Sequence, residues 1–414
     1  MSELTRWPGL VRTYGRWARF ALLAAGLMLS GCAYGNLNLA RDAFYRGDIA
    51  GASQALIDAD KISSRDLLLY YMEKGAILHY SGNYEESVNL LLKASSLIEE
   101  QEIISASQQT VSLVTSEWLM DYKGEYAERL LVHTFQMMNF LILGRNDSAL
   151  VEAKQALKVY DAYPEACNGD YFTRALVAHC FESVGEINGA YIEYKKLAEL
   201  MGDPGPVAGR LCDLGARLGF FDEVEHFRKY LSQPDTGVKG NPVGEMLFFV
   251  SQGRAPVKIP QDIILPEAIR FSFFAYEDRG GSFPGPDIGT LYGMRGAEWI
   301  VTDVGSVLRA SLNQRLLQIM AKETARVIAK QAIANSIGDS DVEAIVRIAF
   351  LLMEAPDTRC WETLPGSLIM VRVPLYPGDS PVQFSGTGIH PPPPPDAAAP
   401  SNHHPFYRYY SIRN

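Results

Sequence analysis

Five glycines, Gly47, Gly82, Gly144, Gly185 and Gly219, share a pattern that constrains the fold more than any other feature of the chain. Seven positions before each stands a mostly small residue: Ala40, Gly75, Met137, Ala178 and Cys212. Compact residues recur after them, such as Ala52 and Ala59, Ser87 and Ala94, Ala149 and Ala156, and Ala190. Small residues at such intervals let two helices approach closely, and a glycine between them ends the first helix and opens a tight turn. The glycines are 35, 62, 41 and 34 residues apart. The long interval implies an insertion of roughly 28 residues, placed at Gln101–Lys123, in an otherwise regular series of helix pairs.

The pattern resembles the tetratricopeptide repeat, an antiparallel helix pair of about 34 residues. That resemblance implies an N-terminal α-solenoid of tetratricopeptide-like helix pairs over residues 32–236, its concave face lined by first helices. Phasing the helices from the glycines puts Met72, His79, Tyr80, Phe135, Met138, His179, Glu182 and Arg217 on or near that face. Such a lining suits a peptide or a partner helix, so these eight are the candidate partner-binding residues. His79 and His179 lie 100 residues apart with no third ligand indicated, and no metal or other cofactor is expected.

The N-terminus supplies an address. Arg6, Arg12, Arg16 and Arg19 precede a ten-residue apolar run, Phe20 to Leu29, too short to span a bilayer. Leu29-Ser30-Gly31-Cys32 follows and resembles the lipobox of bacterial lipoproteins. By that resemblance residues 1–31 are a signal peptide and Cys32 carries the lipid. Ala33 stands where an aspartate would favour inner-membrane retention, so an outer-membrane anchor facing the periplasm is expected. Acyl chains contribute about 0.8 kcal/mol per buried methylene, so several make a stable anchor. Without the leader the chain has 34 basic and 47 acidic residues. It lacks the basic footprint of a nucleic-acid binder.

Gly237, Gly240, Asn241 and Pro242 end the helical periodicity, and residues 237–388 read as an α+β domain. Met246–Val250, Ala255–Ile259, Ile269–Tyr276 and Leu368–Leu375 have extended or strand character. Glycine-rich Arg279–Gly296 reads as a long loop. From Val304 to Ile337 apolar residues return at helical steps, with Arg309, Arg315, Lys322, Arg326 and Lys330 between them. Such a helix either packs on the sheet with its lysines in solvent or touches anionic phospholipid. A second helix, Val342–Glu354, capped by Ser340 or Asp341, is apolar nearly all round and predicts burial, either inside this domain or against a partner. Residues 389–414 form a tail with five consecutive prolines, Pro391–Pro395, and a final strand candidate, Phe406–Ile412.

Several segments together resemble an uncharacterised family of bacterial lipoproteins with tetratricopeptide-like repeats and a C-terminal α+β region. They are Tyr126…Glu128…His133…Asn139, Val151-Glu-Ala-Lys154, Gly253-Arg-Ala-Pro-Val-Lys258 and, most distinctively, Asp357-Thr-Arg-Cys-Trp-Glu-Thr-Leu-Pro365. The family usually carries serine where Cys360 stands. Asp357, Thr358, Arg359 and Trp361 suit an architectural corner, with Arg359 paired internally and Trp361 in the core, or else a small recognition site. The resemblance points towards envelope or peptidoglycan biogenesis. The chain lacks the phosphate-binding P-loop, HExxH and GxSxG patterns, so no catalysis is expected. The expectation is a membrane-anchored periplasmic scaffold for envelope proteins. A wall-glycan binding or cleaving protein and an export-assembly subunit are the alternatives. Cys167, Cys180, Cys212 and Cys360 allow three disulfide pairings or none.

Overall fold

The computed structural model describes residues 31–56, 62–107, 120–231, 242–265, 269–281, 291, 294, 296–338, 340–353, 355–376, 389–390 and 406–414. The helices of the first part are α1 (Gly31–Tyr45), α2 (Ile49–Ala55), α3 (Leu67–Tyr80) and α4 (Tyr84–Ser107). They continue with α5 (Tyr126–Ile142), α6 (Asn146–Ala162), a short α7 (Pro164–Cys167) and α8 (Tyr171–Ser183). Then come α9 (Ile187–Met201), α10 (Gly205–Leu218) and α11 (Phe221–Arg228). α1 packs on α2, α3 on α4, α5 on α6, α8 on α9 and α10 on α11.

All five pattern glycines have positive φ, between 72° and 81°, the left-handed conformation that spares only glycine a steric cost. Each is followed by the same closure, in which an amide donates to the carbonyl five residues back. The bonds are Asp48 to Ala43, Asn83 to Leu78, Arg145 to Phe140, Glu186 to Phe181 and Phe220 to Gly215, all 2.8–3.0 Å. The chain is thus turned back identically five times, and these units are tetratricopeptide-like helix pairs. Close approach within a pair is visible at Gly75, where an added Cβ would lie 2.7 Å from Leu91 Cδ2. At Gly144, by contrast, an added Cβ would touch nothing within 4 Å. Gly144→Ala is therefore expected to cost only backbone strain, about 1–2 kcal/mol. Gly75→Ala carries no such strain and gains about 1 kcal/mol of helix propensity, set against overpacking on Leu91 of about 1–3 kcal/mol. Urea titration of the two variants separates these costs.

The second part contributes β1 (Gly244–Gln252), β2 (Val257–Leu265), β3 (Ile269–Glu277) and β4 (Glu298–Asp303). α12 (Val304–Asn335), α13 (Ser340–Met353), β5 (Ser367–Leu375), β6 (Ile389–His390) and β7 (Phe406–Arg413) follow. One sheet has the order β4-β5-β1-β7-β6, and β2 and β3 form a separate hairpin. β1 pairs antiparallel with β5 and parallel with β7. The final segment is therefore an interior strand of the sheet, with Tyr409, Ser411 and Ile412 buried.

The two parts share one core. Leu247, Phe249, Ile300, Val304, Trp361 and Met370 pack in the same cluster as Phe135, Phe172 and Leu176 of the helix pairs. Strand side chains on the other sheet face, including Phe248, Val250 and Ile412, form a smaller cluster. The expected boundary around residues 236–237, residues 282–290, 292, 293 and 295 of the expected loop Arg279–Gly296, and the prolines Pro391–Pro395 lie outside the described residues. So do residues 1–30; Cys32 lies in α1, but its side chain is outside them. The insertion expected at Gln101–Lys123 begins inside α4, and its middle, residues 108–119, is likewise outside.

Two expectations for the second part are corrected. The basic residues of α12 are not a solvated row: Arg326 and Lys330 are buried, and Arg315 pairs with buried Glu125. α12 packs on α5, α7 and β3, which draws these residues inward. α13 is not buried inside the domain, because Ile345 and Ile348 are more than half exposed. The side chains that would cap it, Ser340 and Asp341, lie outside the described residues.

Candidate functional site

The face of the first helices, where the partner-binding residues were expected, is covered by the sheet of the same chain. On α3, His79 Nδ1 lies 2.6 Å from Asn139 Oδ1 and its Nε2 lies 2.8 Å from Ser411 Oγ on β7. Because the amide oxygen can only accept, Nδ1 carries the proton and Nε2 accepts from the Ser411 hydroxyl. Asn139 donates to Ser87 Oγ (2.9 Å), which donates to the Gly75 carbonyl (2.7 Å), completing a buried chain from helix pair to strand. Tyr80 donates to Ser251 of β1 at 3.0 Å. Phe135 packs on Trp361 with ring centroids 5.4 Å apart. Met72 and Met138 are fully buried beside them.

A second anchor is on α8. Tyr409 hydroxyl and His179 Nε2 are 3.0 Å apart. Glu182 meets Arg372 of β5 and Arg210 of α10 at 3.2 Å each, and accepts from Tyr194 (2.9 Å) and Tyr407 (3.1 Å). Both arginines also pair with Glu245 of β1. Two guanidinium groups and two carboxylates thus neutralise one another inside the interface. Burial alone would raise the Glu182 carboxyl, but Arg372 and Arg210 outweigh it and hold the group well below the usual range. His179 is driven down to about 4 by burial, against the opposing pull of Glu182.

The third anchor is the corner 357–365. Asp357 accepts the Arg359 amide (3.1 Å) and pairs with its guanidinium (2.8 Å), which reaches Asp66 at 2.7 Å and the Met120 carbonyl at 2.8 Å. Thr358 is half-buried. Trp361 is buried, and its indole donates to Thr363 Oγ1 at 3.0 Å. Its backbone amide donates to Glu128 of α5 at 2.7 Å. Glu73 of α3 accepts the amides of Glu362 (2.8 Å) and Thr363 (3.2 Å) and pairs with Arg41 at 2.7 Å. Nearby, Lys258 and Arg315 both pair with Glu125; burial alone would raise that carboxyl, but the two cations lower it to about 2.

Five of the eight expected groove residues therefore contact the second part of the chain, Met72 and Met138 are fully buried in the shared core, and the open-groove expectation is corrected for all seven. The exception, Arg217, is exposed on α10. Charged substitutions at Met72, Phe135 or Met138 would break the core rather than probe a binding surface, since each is fully buried. Glu73, Glu128, Arg41 and Arg372 were not among the expected site residues. The available signal was a carboxylate on an otherwise apolar helix face, as at Glu73 between Met72 and Ile77. Segments distant in sequence also meet here: Glu128 receives Trp361, and His133 pairs with Glu152 at 2.8 Å.

His79 and His179 belong to separate networks, and among the described residues no three potential metal ligands come together. Cys167, Cys180, Cys212 and Cys360 are thiols, not disulfides. Burial pushes Cys167 and Cys360 up to about 12, far from nucleophilic thiolates at neutral pH.

No protein-family model and no curated protein match this chain. Among solved structures it is similar to MamA: one crystal structure is 12% identical, covers 48% of this chain and 88% of that one, and has a TM-score of 0.35. MamA AMB-1 is 16% identical over 50% of this chain and 93% of its own, with a TM-score of 0.34. MamA 41-end from Desulfovibrio magneticus RS-1 is 14% identical over 49% and 92%, with a TM-score of 0.33. At these scores the likeness carries no inference about activity; the repeat assignment rests on the five identical turns.

Proposed function

We propose that this protein is a non-enzymatic scaffold lipoprotein of the bacterial outer membrane, facing the periplasm. It is held by a lipid on Cys32 and binds envelope proteins, with peptidoglycan-synthesis machinery as the favoured class of partner. The observation that carries the scaffold reading is the repeat face itself. It grips an extended strand through His79 and His179 and a backbone corner through Glu73 and Glu128. These are the contacts by which polypeptide is recognised, a backbone captured by fixed acceptors and alternate side chains read one by one. With that face filled by the chain's own sheet, envelope partners are met through the outer surfaces of the helix pairs. The address rests on the arginine-rich leader and on Leu29-Ser-Gly-Cys32.

The test is crosslinking in intact cells, followed by detergent extraction and mass spectrometry, with Cys32→Ala as the mislocalised control. The expected result is a fatty-acid label on the unaltered chain that Cys32→Ala abolishes, and capture of wall synthases or their activators only when the label is present. Recovery of wall fragments alone would replace the scaffold with a glycan-binding reading.

A further inference from the structure

The outer surface formed by the distal part of α12 and by α13 has an inverted distribution of polarity. α12 is 32 residues long, about 48 Å at the rise of an α-helix. Among described side chains from residue 317 to 348, every exposed one is uncharged. Leu317 is 80% exposed, Met320 56%, Ile328 63%, Ile345 60% and Ile348 54%. Of the described charged side chains of the same stretch, Lys322, Glu343 and Arg347 are only partly exposed. The others, Glu323, Arg326 and Lys330, are buried, with Arg326 paired to Glu323. Half-buried Arg347 of α13 holds Gln331 and Asn335 of α12 at 2.6 Å each and Glu343 at 2.8 Å, so its guanidinium is spent between the two helices.

We infer that this surface of α12 and α13 seats in the outer part of a lipid bilayer. Water-facing helices put charge outside and apolar groups inside; here the order is reversed, as it is where hydrocarbon replaces water and polar groups must be satisfied internally. The exposed polar side chains of the stretch, Gln318, Thr324, Asn335 and Ser336, are few and all uncharged, whereas the rim of a soluble partner's docking surface is polar and solvent-accessible and commonly carries charge. The absence of exposed charge also selects the kind of membrane contact. It is insertion of uncharged side chains, not adhesion of a basic helix to anionic headgroups, because the basic residues of α12 are drawn inward. No helix among the described residues is long and apolar enough to cross a membrane, so the contact is interfacial, with the apolar face buried about 5–10 Å. The inference draws on the proposed lipid tether only for the nearness of a bilayer, and it makes that tether one of two membrane contacts.

The test places a small environment-sensitive fluorescent amino acid at residue 328, 345 or, as a control, 151. Val151 is 55% exposed on α6, away from this surface. Each full-length protein is added to neutral phosphatidylcholine vesicles with and without bromine on the acyl chains, which quench only fluorophores at hydrocarbon depth. Quenching at 328 and 345 at least threefold stronger than at 151, unchanged by 0.5 M salt, is expected. Equal quenching at all three positions, or none at 328 and 345, would overturn the inference. So would concentration-dependent energy transfer between copies through 328 and 345 without vesicles, which would give the surface to a second copy. The comparison reads the surface in the acylated chain and in Cys32→Ala alike, so a failed tether and a failed surface give different results.

Discussion

Glu73→Ala is expected to lower the free energy of unfolding by about 3–5 kcal/mol, the range for removing one partner from a buried ion pair. Glu73 is fully buried, and its carboxylate serves three donors: the Arg41 guanidinium and the amides of Glu362 and Thr363. Alanine leaves two amides without an acceptor and removes one of the two carboxylates at Arg41, the other being Glu362 at 2.7 Å. Arg145→Ala is the matched control, since Arg145 pairs with Glu85 at 2.9 Å with both side chains about half exposed. That pair is worth roughly 0–1 kcal/mol. Domains of this kind are stable by about 5–15 kcal/mol in all, so the first loss is severe and the second barely visible. In urea the Glu73→Ala midpoint should fall with little change in slope. A difference of less than about 1 kcal/mol between the two variants would show that the corner 357–365 is not anchored by this carboxylate.

What sequence reveals here is what local physics specifies. The five glycine turns are legible because a left-handed residue at a helix end has few solutions, and α12 is legible because its periodicity runs without a break. Asp357 and Arg359 are two residues apart, so their pairing is foreseeable; the reach of Arg359 to Asp66 is not. Phasing the helices correctly puts His79 and His179 on one face, but their partners Ser411 and Tyr409 lie 332 and 230 residues away. Nothing local says that a tail strand beyond a proline tract will enter the sheet beside β1 and fill that face. A buried histidine and a groove histidine look alike in sequence because both sit on an apolar stripe. Composition misleads for α13 in the opposite sense. An all-apolar helix predicts burial inside the domain, whereas Ile345 and Ile348 are more than half exposed. Carboxylates on apolar faces, Glu73 and Glu128, are the strongest local sign of the interface, since a buried charge is retained only where donors converge on it.

The second large effect is in the response to acid. His179 is buried and neutral, with its proton affinity lowered to about 4 by loss of solvent, while in the unfolded chain it titrates near the ordinary value of 6.5. Between these values the unfolded state binds the proton and the folded state does not, so stability rises with pH there. The contribution is complete above pH 6.5 and is lost as pH falls from 6.5 towards 4. Linkage gives about 2 kcal/mol lost between pH 7 and pH 5 from this one residue. The groups facing it do not rescue the charged form. Glu182 is 3.7 Å from Nδ1, too far for a full hydrogen bond, and is already committed to Arg372 and Arg210. Those two arginines further oppose a positive imidazole, and Tyr409 faces Nε2 as a neutral hydroxyl. Glu125, lowered to about 2, loses its contribution only below pH 4.5, outside this window. His179→Gln removes the titrating group, so the variant should show a stability curve flatter by about 2 kcal/mol between pH 7 and pH 5 than the unaltered protein. Urea midpoints at half-unit steps measure the difference between the two curves, which cancels the remaining histidines. Parallel curves would mean that His179 binds protons with the same affinity in the folded and the unfolded chain, so that burial does not disfavour the imidazolium. An unaltered curve that falls with pH relative to the variant would mean that β7 is held by a charged anchor, with the imidazolium donating to the Tyr409 oxygen.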